Sequence, residues 1–198
     1  MDKNKKIILG SSSVFRKNLL ERLNIEFDSI SPNINEDRLK GESGKDMAPR
    51  LANLKAKKIS NSNSNSIIIC SDVCAVCDDK VLGKPGTKEN AAKILSFISE
   101  KKIVFYNGTC IFDTIANKTY QKLFTYEILI NKLNKKDIET YINKFNPIHS
   151  TAAFKYESGR EFLVKKLTTD EPDLTGLIGL PLYYVKDIIE LIKDNNWS

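Results

Sequence analysis

The sequence predicts an α/β fold built on a mixed sheet, and two observations carry that prediction. Apolar runs of strand length are interspersed with segments of helical period. Several strands also come in pairs joined by short polar turns, as hairpins do, so the sheet is not purely parallel.

Residues 5–9 read as a first strand. Residues 14–23 follow as a helix, with Phe15, Leu19, Leu20 and Leu23 at helical spacing and Ser13 placed to cap it. Phe27 to Ile30 is a short strand, and Pro32 to Gly44 a polar loop. Asp46 is the expected cap of a second helix, running to about Ile59. Ser60 to Ser66 alternates Ser and Asn and reads as a solvated loop. Ile67 to Cys77 is the strongest strand signal, and Asp78-Asp79 is a hairpin turn into Lys80 to Leu82. Thr87 to Ile98 reads as a helix, with Ala91, Ile94, Leu95 and Ile98 on one side. Ile103 to Phe112 and Tyr120 to Ile130 are strands joined around Asn117. Asn134 caps a helix to about Phe145, Glu161 to Leu167 reads as a strand, and Leu182 to Ile192 is a closing helix. No internal repeat or linker interrupts the chain, so a single domain over residues 1–198 is expected.

Composition narrows the classes. The 198 residues are 41% hydrophobic and 28% charged, within the range of ordinary globular proteins. No apolar run has the length of a membrane span, and Ile7 to Leu9 is too short for a signal peptide, so a cytoplasmic location with no membrane partner is expected. The net charge of +6 suits an anionic partner, but it is equally the mark of a lysine-rich surface. The cations are spread along the chain without interleaved aromatics, which argues against nucleic acid as the partner. Cys74 and Cys77 have C-x-x-C spacing, yet they lie in a strand, where residues three apart face opposite ways. With Cys70 and Cys110 they read as buried structural thiols.

A few residues look chemical. In "LGSSSVFRK" a strand feeds a small-residue turn and then a helix, whose first N–H groups lack partners and attract phosphate. Ser11 and Ser13 add hydroxyls, Arg16 can grip two oxygens at once, and Lys17 adds a point charge. The same residues also make a serine cap followed by two solvated cations, and the P-loop pattern is absent. Lys55 falls on the apolar face of its helix with Ala48, Leu51, Ala52 and Ile59, so it either snorkels out or points into a cleft. Asp72 is a carboxylate within a strand built to be buried, where it needs a partner, a metal or a shifted proton affinity. Lys84 sits in the restricted turn "LGKPG", and Glu36 is a loop carboxylate able to share a cation with Asp72. Cations and two carboxylates of this kind are equipment for holding a polyphosphate with a divalent metal and activating water against it. His149 stands alone beside Pro147, so no serine or cysteine nucleophile has an evident base.

Taken in order, these residues resemble the Maf family of nucleotide pyrophosphatases almost end to end. Its S-x-S-x-x-R-R/K opening is matched by Ser11, Ser13, Arg16 and Lys17, and its P-x-I/V-D-E loop by Pro32, Ile34 and Glu36. R-L-A-x-x-K-A matches Arg50 to Ala56, the central Asp is Asp72, L-G-K-P is Leu82 to Pro85, and G-L-P-L is Gly179 to Leu182. Phe105 to Gly108 and Asn146 to Ser158 look most like the branch that hydrolyses 7-methyl-GTP, and Ser71-Asp72 fits that branch better than the A-D-T of the branch acting on dTTP and UTP.

The resemblance implies an elongated mixed α/β sheet with flanking helices and a deep central cleft, similar to inosine triphosphate pyrophosphatases. It implies hydrolysis of a nucleoside triphosphate to the monophosphate and pyrophosphate, a Mg²⁺ or Mn²⁺ cofactor and a homodimer. By position, Asp72 would accept the proton of the attacking water and touch the metal, with Glu36 as its metal-side partner. Ser11, Ser13, Arg16, Lys17, Lys55 and Lys84 would hold the triphosphate, and Phe15, Val73 and Glu157 would select the base. The chain departs from the pattern at Asn35, Leu54, Val73 and Phe15, where the family carries Asp, Glu, Gln and Trp. Lost polar groups at the first two positions leave a second expectation open, a catalytically weak nucleotide-binding regulator of cell division. A dTTP or UTP pyrophosphatase is the alternative within the family.

Overall fold

In the computed structural model, which describes residues 5–194, the strands form one mixed sheet of seven in the order β2-β1-β3-β5-β6-β7, with β4 paired to β3. The strands are β1 (Lys6–Leu9), β2 (Asp28–Ser29), β3 (Ser66–Cys77), β4 (Lys80–Leu82), β5 (Lys102–Asp113), β6 (Lys118–Ile130) and β7 (Val164–Thr168). β1 runs parallel to both β2 and β3, while β3–β4 and β6–β7 are antiparallel. The helices are α1 (Val14–Glu21), α2 (Gly44–Ser60), α3 (Lys88–Ile98), α4 (Lys135–Phe145), α5 (Tyr156–Leu163), the single turn α6 (Thr175–Ile178) and α7 (Leu182–Asp194). No described helix is long and apolar enough to cross a membrane.

The chain divides into two compact units. Among the described residues the first takes in 5–72, Asn107–Phe124 and 172–194. Two clusters of its core are described. Ile7, Leu9, Ile67 and Ile69 of the sheet pack with Leu19 and Leu20 of α1 and Val185, Ile189 and Ile192 of α7. Ile8, Ile68, Cys70 and Cys110 pack with Ala52, Ala56 and Ile59 of α2. Alternate residues of β1 and β3 therefore serve different clusters, as the two faces of a doubly covered sheet require.

One close approach fixes α2 on the sheet. A Cβ built on Gly108 of β5 would lie 2.3 Å from the Pro49 nitrogen and 2.5 Å from the Ala48 carbonyl oxygen. Only glycine lets helix backbone and strand backbone come so near.

The second unit holds Val73–Tyr106 and Thr125–Glu171. Asp78 and Asp79 both take positive φ, 47° and 60°, as a tight two-residue hairpin demands. α4 carries a full capping box, with Asn134 and Asp137 each accepting from the other's backbone N–H. Tyr141 of α4 is buried; its hydroxyl donates to the Ala153 carbonyl and accepts from the Lys155 N–H.

Two sequence expectations need correction. The cap of α2 is Ser43, whose hydroxyl accepts from the Asp46 N–H; Asp46 is a first-turn acid instead. The residues read as a strand from Glu161 to Leu167 begin as helix, because α5 runs through Leu163 and β7 starts at Val164 with no residue between. Gly159 lies inside α5. In the fold it is demanded by packing: a Cβ there would lie 2.5 Å from the Tyr141 ring. The four cysteines are buried thiols, as read from the sequence, and burial pushes the Cys110 thiol up to about 11 and Cys70 further. Such thiols are inert.

Candidate active site

α2 places one cation where charge is expensive. Its buried stripe is Ala48, Leu51, Ala52, Lys55, Ala56 and Ile59, which recur at i, i+3, i+4, i+7, i+8 and i+11 and so share one face. Lys55 lies within that stripe and is 4% exposed, while Lys57 and Lys58 are solvated. Of the two sequence readings, snorkelling is therefore excluded. The ammonium points inward.

Its partners are the two carboxylates singled out from the sequence. Lys55 Nζ lies 2.5 Å from Asp72 Oδ1 and 2.7 Å from Glu36 Oε1. Asp72 is itself 8% exposed at the middle of β3, whereas the Glu36 side chain is 57% exposed. A buried carboxylate needs a charged partner, and the helix face supplies it. Glu36 reaches the same ammonium from solvent. The shared cation foreseen for Asp72 and Glu36 is thus, in this structure, Lys55.

The loop carrying Glu36 is held at its ends. Arg50 of α2 makes a forked ion pair to Glu42, with Nε on Oε1 and Nη2 2.8 Å from Oε2, and also donates to the Asp37 carbonyl at 3.1 Å. This hydrogen-bonded guanidinium holds the Glu42 carboxyl below its ordinary range. Asn35, where the family pattern has Asp, accepts the Asp37 N–H on its side-chain oxygen at 2.7 Å. It makes an Asx turn that shapes the loop beside Glu36. Leu54, a further departure from the pattern, is 40% exposed.

At the entrance to α1 both sequence readings have content. Ser13 caps the helix, accepting the Arg16 N–H. Ser11 Oγ accepts the Ser13 N–H at 3.1 Å and stands 3.4 Å from Arg16 Nη1. Neither role uses the serine O–H proton, which stays available to a phosphate oxygen. Arg16 is also anchored from far along the chain: its Nε donates to the Gly179 carbonyl at 3.0 Å. That anchor was missed from sequence, although G-L-P-L was visible as a motif. Lys17 is exposed, and Phe15 keeps 41% of its surface in solvent at the head of α1.

The remaining expected residues belong to the second unit. Val73 follows Asp72 on β3 and is half-buried. Glu157 is exposed in the first turn of α5. Lys84 is exposed on a turn that is tied down on both sides, by Ala152 N–H to the Gly83 carbonyl and Gly86 N–H to the Ile148 carbonyl, each at 2.9 Å. His149 is exposed and ends a short 3-10 turn.

Among the described residues no group of three or more His, Cys, Asp or Glu side chains is placed to hold a metal. Two carboxylates converge on one cation, however, and that donor set suits Mg²⁺ or Mn²⁺. Such ions take hard oxygen ligands and often rely on one or two carboxylates plus the substrate's own phosphates.

Comparison with known sequences shows the family. The family profile described as Maf-like protein matches residues 6–192. A 7-methyl-GTP pyrophosphatase of Colwellia psychrerythraea is 40% identical over 178 residues, covering 90% of this chain and 88% of its own. Proteins of the same name from Aliivibrio fischeri and Idiomarina loihiensis are 37% and 36% identical, each over 185 residues; these cover 93% and 92% of this chain, and 95% and 92% of their own lengths.

Proposed function

This chain belongs to the Maf family, and on that premise we propose that it is a nucleoside triphosphate pyrophosphatase acting on 7-methyl-GTP. The observation that carries the reading is the buried Asp72–Lys55 pair with Glu36 on the same ammonium. An ion pair so deeply desolvated gains little stability, and it gathers the carboxylates that phosphoanhydride hydrolysis needs.

In the proposed reaction water attacks the α-phosphorus, the bridging P–O bond to the β-phosphate breaks, and pyrophosphate leaves with the electron pair. Asp72 takes the proton from the attacking water. Lys55 moves from neutralising the two carboxylates to neutralising the phosphate charge that develops between attacking and leaving oxygens. Arg16, already aimed by Gly179 and Ser11, grips phosphate oxygens through its remaining N–H groups. Ser11, Ser13 and Lys17 add donors at the positive end of α1. Lys84 as a further phosphate cation rests on the sequence resemblance. Glu36 and Asp72 would hold a Mg²⁺ or Mn²⁺ ion, which when bound neutralises the triphosphate and makes water easier to deprotonate.

The names of the relatives support methylated guanine over pyrimidine. An exposed Phe15 suits a cationic, methylated ring, which favours an aromatic face. Glu157 would accept hydrogen bonds from the guanine N1 and N2 groups, while Val73 offers only apolar contact. A house-cleaning role in the cytoplasm, as a homodimer, completes the proposal.

The test is pyrophosphate release with Mg²⁺ or Mn²⁺ across 7-methyl-GTP, GTP, dTTP, UTP and CTP. Release that is fastest with 7-methyl-GTP is expected. A pyrimidine preference would overturn the assignment of the base, and no release from any of them would overturn the enzyme.

A further inference from the structure

A buried polar network unused by the mechanism lies beside the site. Ser71, Asn107 and Thr109 are all completely buried. The Asn107 side-chain carbonyl accepts from Ser71 Oγ at 2.9 Å and from Thr109 Oγ1 at 2.8 Å. Its amide donates to the Gly176 carbonyl, in α6, at 2.6 Å. No buried side-chain polar atom among the described residues lacks a partner, so the network is fully satisfied.

Both ends of this network meet residues already discussed. Ser71 is the chain neighbour of Asp72. Gly176 lies on the turn that leads to Gly179, whose carbonyl holds Arg16. The same segment is closed on itself by Asp173, which accepts from the Thr175 and Tyr183 N–H groups, and by Thr175 Oγ1, which accepts from the Leu182 N–H. A segment stiffened in this way moves as a piece, and the Asn107 amide is its tie to the centre of the sheet.

We infer that Asn107 is a positioning residue: it sets the height of the Gly176–Gly179 segment, and so the aim of Arg16, relative to the strand that carries Asp72. The inference rests on the proposed role of Arg16 as a phosphate-gripping group. Asn is suited to the task because it offers an acceptor to β3 and a donor to α6 from one rigid amide. Asp in its place would keep the acceptor and set an oxygen against the Gly176 carbonyl.

The experiment measures binding of inorganic tripolyphosphate by calorimetry, which needs no turnover and so stands apart from the test of hydrolysis. Wild type, Asn107→Ala, Arg16→Ala and the double variant are compared. Asn107→Ala is expected to weaken binding by about fivefold to tenfold. In the Arg16→Ala background it is expected to change binding less than about twofold, because the two act through one contact. The Arg16 Nε–H proton resonance should also lose its protection from exchange in Asn107→Ala. Additive effects, unchanged binding in Asn107→Ala, or no tripolyphosphate binding by wild type would each overturn the inference. If Asn107→Ala does not fold, Ser71→Ala removes the hydroxyl that donates to Asn107 and accepts from Thr109, at little cost in volume, and is read by the same criteria.

Discussion

Two lysine–carboxylate pairs of similar length sit in very different surroundings. Lys55 lies 2.5 Å from Asp72 in the first unit, with side chains 5% and 12% exposed. Lys101 lies 2.7 Å from Asp78 in the second, with side chains 36% and 57% exposed. The outer pair is screened and solvated, and pairs of that kind contribute about 0–1 kcal/mol. The inner pair has lost hydration on both ions, a penalty of several kcal/mol each that their attraction only roughly offsets. Distance therefore says little about what a pair is for. Burial at the same distance marks a pair whose charges are wanted where they stand, and in the proposed reaction they are the base and a phosphate cation.

The sharpest way to break that contrast is Asp72→Asn. It removes the proton acceptor but keeps the shape, and Lys55 keeps Glu36 as a charged partner. Turnover is expected to fall by about 100-fold or more, with nucleotide binding largely kept. Near-wild-type turnover would return the inner pair to a structural role.

Next comes stability. Lys55→Met takes the buried ammonium away from Asp72, and a loss of about 3 kcal/mol is expected. Lys101→Met should cost less than about 1 kcal/mol. Denaturant midpoints of the two variants, measured side by side, would erase the contrast if they agreed.

Phe15→Ala is expected to raise KM for 7-methyl-GTP by roughly fivefold, in line with an aromatic contact to a cation, and to change KM for UTP less. Equal effects on both substrates would show that Phe15 does not read the base.

The smallest effect concerns the loop that brings Glu36 to Lys55. Glu42 is held below its ordinary value of 4.5 by Arg50, so its carboxylate form is favoured in the folded state. The stabilisation is fully present above the ordinary value and is lost as pH falls through the lowered one. Glu42→Gln should therefore lower stability slightly at neutral pH and leave it unchanged well below that range. A constant difference at all pH values would break the link.

The legibility of these features in the sequence follows from their range. Lys55 could be placed on the buried face because helical periodicity is local, and Asp72 could be seen as anomalous because its neighbours on β3 are apolar. The hairpin at Asp78-Asp79 and the cap at Asn134 were equally readable, since turn and cap chemistry is carried by adjacent residues. The cap of α2 was misplaced by three residues because Ser43 and Asp46 are both good caps and only the backbone decides between them. The end of α5 was read as strand because helix passes directly into β7, and the fit of Gly159 against the Tyr141 ring is visible only in the fold.

By itself, then, the sequence determined the order and type of most elements, the buried faces and a motif set sufficient to suggest the family. Each of these is written in short-range spacing. Tertiary structure alone decided which charges meet. Lys55, which meets Asp72, lies 17 residues away, the tie of Asn107 to α6 reaches across 69, and the anchor of Arg16 across 163. No periodicity spans such gaps. Packing closes them, through contacts such as the Gly108 approach that sets α2 against the sheet.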